Sequence, residues 1–166
     1  MKFGTLLSSR EKDYFYIMHL SYNGDKREEL WDYAKKNNLI GLDAPRIVKG
    51  DWVKVRETAR KSLRKGWIRQ FDTFCSRMQK GDLVMVLSGM DSVLGVAEIA
   101  ESRHRYDRSL SDSEAFFDHI RQINWIRRRE YRNRLMLSRP LYGFSHTLSI
   151  VTRNSPRWPI LTDIDI

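Results

Sequence analysis

The residues able to carry out chemistry are few and lie far apart. Cys75 is the single cysteine. It falls at helical spacing among Trp67, Phe71, Phe74 and Met78, a pattern that suits an inert core thiol rather than a nucleophile. Four histidines, His19, His104, His119 and His146, are scattered without the short-range spacing of a zinc site, so neither a metal nor another cofactor is expected. The run His104-Arg105-Tyr106-Asp107 holds acid–base residue types, but a solvated loop accounts for it equally well. Glu98 and Glu101 lack the neighbouring Asp and Lys of a metal-dependent nuclease. No glycine-rich loop leads into Lys and Ser/Thr, which excludes a P-loop nucleotide hydrolase. With every catalytic class missing a member, the chain reads as a binding protein rather than an enzyme.

What remains is aromatic side chains beside basic ones. Tyr106, Phe116 and Phe117 are close in sequence to Arg103, Arg105, Arg108, His119 and Arg121, and further on stands the run Arg127-Arg128-Arg129. Aromatic faces hold bases removed from a stack, while guanidinium groups bond phosphates bidentately. The formal net charge is +9. Such an excess attracts polyanions and speeds encounter with them, which points to nucleic acid as the partner. One cysteine allows no intramolecular disulfide. Met1 to Lys12 carries no apolar signal-peptide run, and no segment has the length of a membrane span. A cytoplasmic protein without a membrane partner is expected.

The elements that must position these residues follow from periodicity. Tyr14 to Leu20 is rich in β-formers and predicts a first strand, followed by the turn chemistry of Ser21-Tyr22-Asn23-Gly24-Asp25. A helix over about Lys26–Asn37 gathers Leu30, Trp31, Tyr33 and Ala34 on one side, and Asn37-Asn38 ends it. Leu39 to Pro45 reads as a short strand or loop. A second helical region starts near Trp52, breaks at Gly66 and stops at Gly81. The apolar run Leu83–Leu87 predicts a strand buried on both faces. Ser88 to Ser92 closes a hairpin onto the return strand Val93–Ala100, where Gly95 suits a bulge or a tight bend. After a polar loop, His119–Arg128 reads as a strand with Ile123 and Trp125 on one face, and Thr147–Thr152 as the last. The expected fold is α+β: a curled sheet or small β-barrel of about five or six strands with two or three flanking helices. It forms one domain over residues 1–166, with a core of about 14–152 and a tail of 153–166 that packs across the domain or docks on a neighbour.

Four stretches carry a resemblance: Tyr14 to Asn23, Lys80-Gly81-Asp82 through Ser88-Gly89, Val93-Leu94-Gly95-Val96-Ala97-Glu98-Ile99, and His119-Ile120-Arg121-Gln122-Ile123-Asn124-Trp125-Ile126. In this order they resemble the PUA-like superfamily, in particular its EVE and YTH branches. They are most similar to the N-terminal DNA-binding domains of McrB-type modification-dependent restriction proteins. The resemblance implies a PUA-like barrel that flips a modified, for instance methylated, base of DNA into an aromatic-lined pocket. By position that pocket draws on Ser21, Tyr22, Asn23, Leu42, Asp43, Ser88 and Phe116 or Phe117, with Trp125 beneath it. Phosphate contacts are expected from Arg103, Arg105, Arg108, Arg121, Arg127, Arg128 and Arg129. The same resemblance implies a chain that is one piece of a larger GTP-driven motor protein working with an McrC-type nuclease subunit. Two other readings stand beside it, an RNA-binding PUA-like domain and a non-catalytic protein-assembly domain. An RNA-cleaving ASCH-type branch is the one enzymatic alternative.

Overall fold

In the computed structural model, which describes residues 1–20, 26–42, 49–111, 117–141 and 147–166, the apolar run at Leu83 lies at the centre of a mixed sheet. The strands are β1 (Tyr14–His19), β2 (Leu39–Leu42), β3 (Leu83–Ser88), β4 (Ser92–Ile99), β5 (Arg105–Tyr106), β6 (His119–Arg128), β7 (Leu135–Met136) and β8 (Leu148–Thr152). The main path runs β2-β6-β4-β3-β1-β8, with the two-residue strands β5 and β7 pairing with β6 and β4. All neighbours are antiparallel except β1 and β3, which run parallel. The sheet curls into a half-barrel. Around it stand α1 (Phe3–Ser9), α2 (Arg27–Asn37), α3 (Trp52–Ser62), α4 (Lys65–Asp72), the single turn α5 (Arg108–Ser111) and α6 (Trp158–Thr162).

Alternation along the strands splits the core in two, because successive side chains point to opposite faces. Tyr16, Met18, Val84 and Val86 join Trp31, Trp52, Phe71 and Phe74 under α2, α3 and α4. Phe15, Ile17, Leu83, Met85 and Leu87 join Phe3, Leu7 and Leu161 under α1 and α6. Every residue of β3 is therefore buried, as its unbroken apolar sequence predicts. On β4 the alternation slips. Val93 and Val96 share one face while Leu94 and Ala97 share the other, because the pairing register shifts beside Gly95. A Cβ at Gly95 would come within 2.8 Å of the Arg127 carbonyl, 2.9 Å of Trp125 and 3.0 Å of Trp31. Glycine here lets two tryptophans close over the strand, their rings 5.0 Å apart edge to face.

Three details differ from the sequence reading. The helical region breaks at Leu63 and Arg64, both extended, while Gly66 lies in the first turn of α4. α4 passes into a π-helical turn, Thr73–Arg77, ahead of the predicted stop at Gly81. The N-terminal stretch forms α1 with Phe3, Leu6 and Leu7 buried; it packs on α6, the part of the tail that begins at Trp158. A seven-residue helix with three apolar anchors among polar residues carries little periodic signal on its own. Its partner lies at the far end of the chain. No helix of the described residues is long and apolar enough to cross a membrane.

Candidate functional site

A cavity of about 230 Å³ opens between β2, β6, α2 and α4. This lies just below the range of drug-sized pockets and matches a single ring system rather than an extended ligand. Its wall is made by Leu42, Phe117 and Trp125, together with Met18, Leu30, Ala34, Ile40, Trp67 and Val86; His19 and Thr147 are the polar residue types among them. Gly41 makes one wall possible. A Cβ there would meet the Phe117 ring at 2.1 Å, so the aromatic face of Phe117 rests directly on the β2 backbone. Tyr33 supports that ring edge to face at 6.1 Å. The opposite wall is Trp125, set by its packing against Trp31 and Gly95. Its indole Nε1 is buried and has no hydrogen-bond partner among the described residues.

Trp125 also borders a second space, a polar groove of about 540 Å³ lined by Asn38, Asn124, Arg127 and Arg128. The groove exists because β2 ends opposite Gln122, at Leu39. Among the described residues, the rest of β6 has a strand neighbour only on the β4 side, leaving peptide groups beside the arginines. A register shift between Val96 and Ala97 pairs Trp125 with Ala97 but Arg127 with Val96. The extra residue, Ile126, reverses the alternation. Arg128 therefore lies on the Trp125 side, where it donates to the Lys35 carbonyl at 3.3 Å, and Arg127 emerges on the other face. Arg129 reaches the Asp165 carbonyl at 3.1 Å.

Of the residues expected in a base pocket, Leu42, Phe117 and Trp125 meet in the cavity. Ser88 does not line it; its hydroxyl pairs with Tyr131 at 3.2 Å. Ser21, Tyr22, Asn23, Asp43 and Phe116 lie outside the described residues. Sequence reasoning missed His19, Trp67 and Thr147 as lining. Trp67 could not be separated from the core aromatics of the same helical pattern, and Gly41 between Ile40 and Leu42 was the local sign of a ring lying on a strand.

The basic residues divide. Arg103, Arg105 and Arg108 are exposed around β5, next to the start of β6. Arg127 and Arg128 stand at its other end, about 26 Å away at the rise of a strand. Arg121 is a correction. It is 1% exposed and donates to the carbonyls of Phe74 (2.5 Å), Glu101 (3.1 Å) and Ser102 (3.2 Å). Its position on the inward face of β6 turns it into a strap between core segments instead of a phosphate contact.

Two of the histidines, far apart along the chain, meet in space. His104 and His119, distant in sequence, lie with Cys75 in one cluster whose ligand-type atoms all fall within 4.8 Å of one another. Cys75 is buried, and that burial pushes its thiol above its ordinary range.

Fold and site together define an α+β protein with an aromatic-walled, ring-sized cavity adjoining a basic groove. Residues 16–140 match the family model described as a domain of unknown function, DUF8426, and the chain belongs to that family. No curated protein and no solved structure matches it.

Proposed function

We infer that the protein is a nucleic-acid-binding specificity domain that takes one extruded base of DNA, methylated rather than hydroxylated, into the cavity. The observation that carries this reading is the position of Trp125 as the common wall of an apolar cavity and an arginine-lined groove. A base leaving a duplex remains tied to its phosphates, so a reader of flipped bases needs a stacking cavity and an anion-binding groove side by side. Phe117 and Trp125 supply the faces. The Trp125 indole N–H, without a partner among the described residues, supplies a donor for a ring nitrogen or carbonyl. Arg128 and the open peptide edge of β6 supply the phosphate contact. The lining favours a methyl group over a hydroxymethyl group, because an added hydroxyl would be buried with few partners.

The curled six-strand mixed sheet supports a finer fold reading within the same proposal, a PUA-like barrel of the EVE and YTH kind. In an McrB-type restriction protein such a domain would deliver specificity to a GTP-driven motor and an McrC-type nuclease subunit. The reading is tested by fluorescence anisotropy with one duplex in unmodified, N6-methyladenine, 5-methylcytosine and 5-hydroxymethylcytosine forms, and with the matching RNA, at two salt concentrations. Preference for one methylated DNA over its unmodified and hydroxymethylated counterparts is the expected result. Preference for RNA would transfer the site to RNA recognition, and no binding to any oligonucleotide at moderate salt would leave a protein-assembly domain.

A further inference from the structure

We propose that Cys75, His104 and His119 form a zinc site that ties the π-helical turn to β6 beside the cavity. The three residues come from separate segments: the turn after α4, the loop before β5 and the first residue of β6. Cys75 Sγ and His119 Nδ1 are 3.9 Å apart, and the ligand atoms of all three lie within 4.8 Å of one another. Tetrahedral zinc with Zn–N near 2.0–2.1 Å and Zn–S near 2.3 Å places its donors about 3.3–3.6 Å apart. The Cys75–His119 pair is within a few tenths of an ångström of that, and small side-chain rotations bring in the third.

An unpartnered ring nitrogen points the same way. His104 Nε2 is buried without a partner among the described residues, so an orphaned ring nitrogen belongs to a residue of the cluster. A buried ring nitrogen without a partner is a group that a bound ion would satisfy. The His104 and His119 rings face each other at 5.6 Å and 22°, a separation that two imidazoles on one tetrahedral ion can share.

The donor set selects the ion. One thiolate and two imidazoles suit zinc and exclude magnesium and calcium, which require oxygen. On binding, Zn²⁺ replaces the proton of the Cys75 thiol, which is released to solvent, and both imidazoles stay neutral. His119 packs edge to face on Phe71 at 5.1 Å and pairs with Leu42 of the cavity wall. The ion would thus hold the wall without touching the base.

The test uses the full chain, purified without a histidine tag or chelator. Elemental analysis is expected to find about one zinc per chain. After zinc removal, Co²⁺ should produce the visible bands of a tetrahedral ion together with an ultraviolet thiolate-to-cobalt band. The half-exposed position of His104 makes His104→Ala the variant least prone to unfold. It should keep its far-ultraviolet dichroism yet bind Co²⁺ more than about 100-fold weaker, beyond the loss seen for supporting residues alone. Cys75→Ser should remove the thiolate band. Zinc well below one per chain with no cobalt spectrum, or a cobalt spectrum unchanged in His104→Ala, would overturn the assignment and leave the cluster as core packing.

Discussion

Replacing Arg121 by methionine separates a structural role from a phosphate-binding one. The guanidinium holds three carbonyls, of Phe74, Glu101 and Ser102. Hydrogen bonds to a charged group each contribute about 1.5–3 kcal/mol net, and a buried acceptor left bare costs about 1–3 kcal/mol. Glu101 and Ser102 are exposed, so their carbonyls can rehydrate, whereas Phe74 is fully buried. Methionine fills much of the volume and relieves the burial of a charge whose Nη2 has no partner among the described residues. Counting the Phe74 carbonyl in full and the other two at a fraction gives a loss of about 2–3 kcal/mol. With an unfolding entropy near 2.1 cal/mol/K per residue, the 166 residues lose about 6–9 °C in Tm. Calorimetry or urea unfolding measures this, and the salt dependence of DNA binding is the second readout. The slope of log K against log salt should remain that of the parent protein at a temperature where the variant is folded. A stability change within about 0.5 kcal/mol, together with a slope reduced by about one, would refute the reasoning and return Arg121 to the surface.

Arg128→Ala should leave Tm almost unchanged and lower the salt slope by about 0.9, with equal loss of affinity for modified and unmodified duplexes in anisotropy titrations. Gly41→Ala drives a methyl group into the Phe117 ring, so about 1–3 kcal/mol of stability should be lost. The same variant should lose base preference while keeping the parent salt slope, measured by urea unfolding and paired titrations. Trp125→Phe keeps an aromatic face but removes the indole donor, and discrimination between modified and unmodified DNA should fall about tenfold. Burial raises the Asp72 carboxyl, but hydrogen bonds from Arg56 at 2.6 and 2.9 Å and Trp52 at 3.0 Å outweigh it and hold the group below its ordinary value. A depressed carboxyl stabilises the fold above its unfolded pKa near 3.9, and that contribution is lost as pH falls through the folded value. Urea midpoints between about pH 5 and pH 3 should therefore decline less steeply in Asp72→Asn than in the parent.

Much of the frame was legible because local periodicity carried it. The β1 run of Tyr14–His19, the fully apolar β3, the return strand through Gly95 and the ten-residue β6 each announce themselves within their own sequence. So does the end of α2, where Asn38 adopts a left-handed cap. The parallel pairing of β1 with β3 was not legible, since it joins segments separated by three helices. Nor was α1, whose burial depends on α6. For the site, Leu42, Phe117 and Trp125 could be named from order along the chain. Trp67 and the Cys75 cluster could not, because their partners come from other elements and residue spacing says nothing about them. Arg121 was misread for a related reason: a charged residue in an arginine-rich stretch looks like surface until a strand turns it inward.

β6 shows how one alternation serves several ends. From His119 to Trp125 the odd-numbered residues face the same core: His119 against Phe71, Arg121 over Phe74, Ile123 in the core, Trp125 on the cavity. Had the pattern continued, Arg127 would follow Trp125 on that face and Arg128 would point away. Ile126 packs on the second core, as alternation alone requires, and the bulge lets Arg127 follow it away from the Trp125 face, which reverses the order of the arginines. Arg128 then becomes the cation next to the aromatic wall, close to the ends of β2 and α2, where the groove begins. A bulge that merely bent the strand would need no such consequence. Deleting Ile126 would remove the bulge and leave Arg127 and Arg128 on their present faces, so the shortened strand should keep the phosphate contact while losing the anchor of Ile126 in the second core.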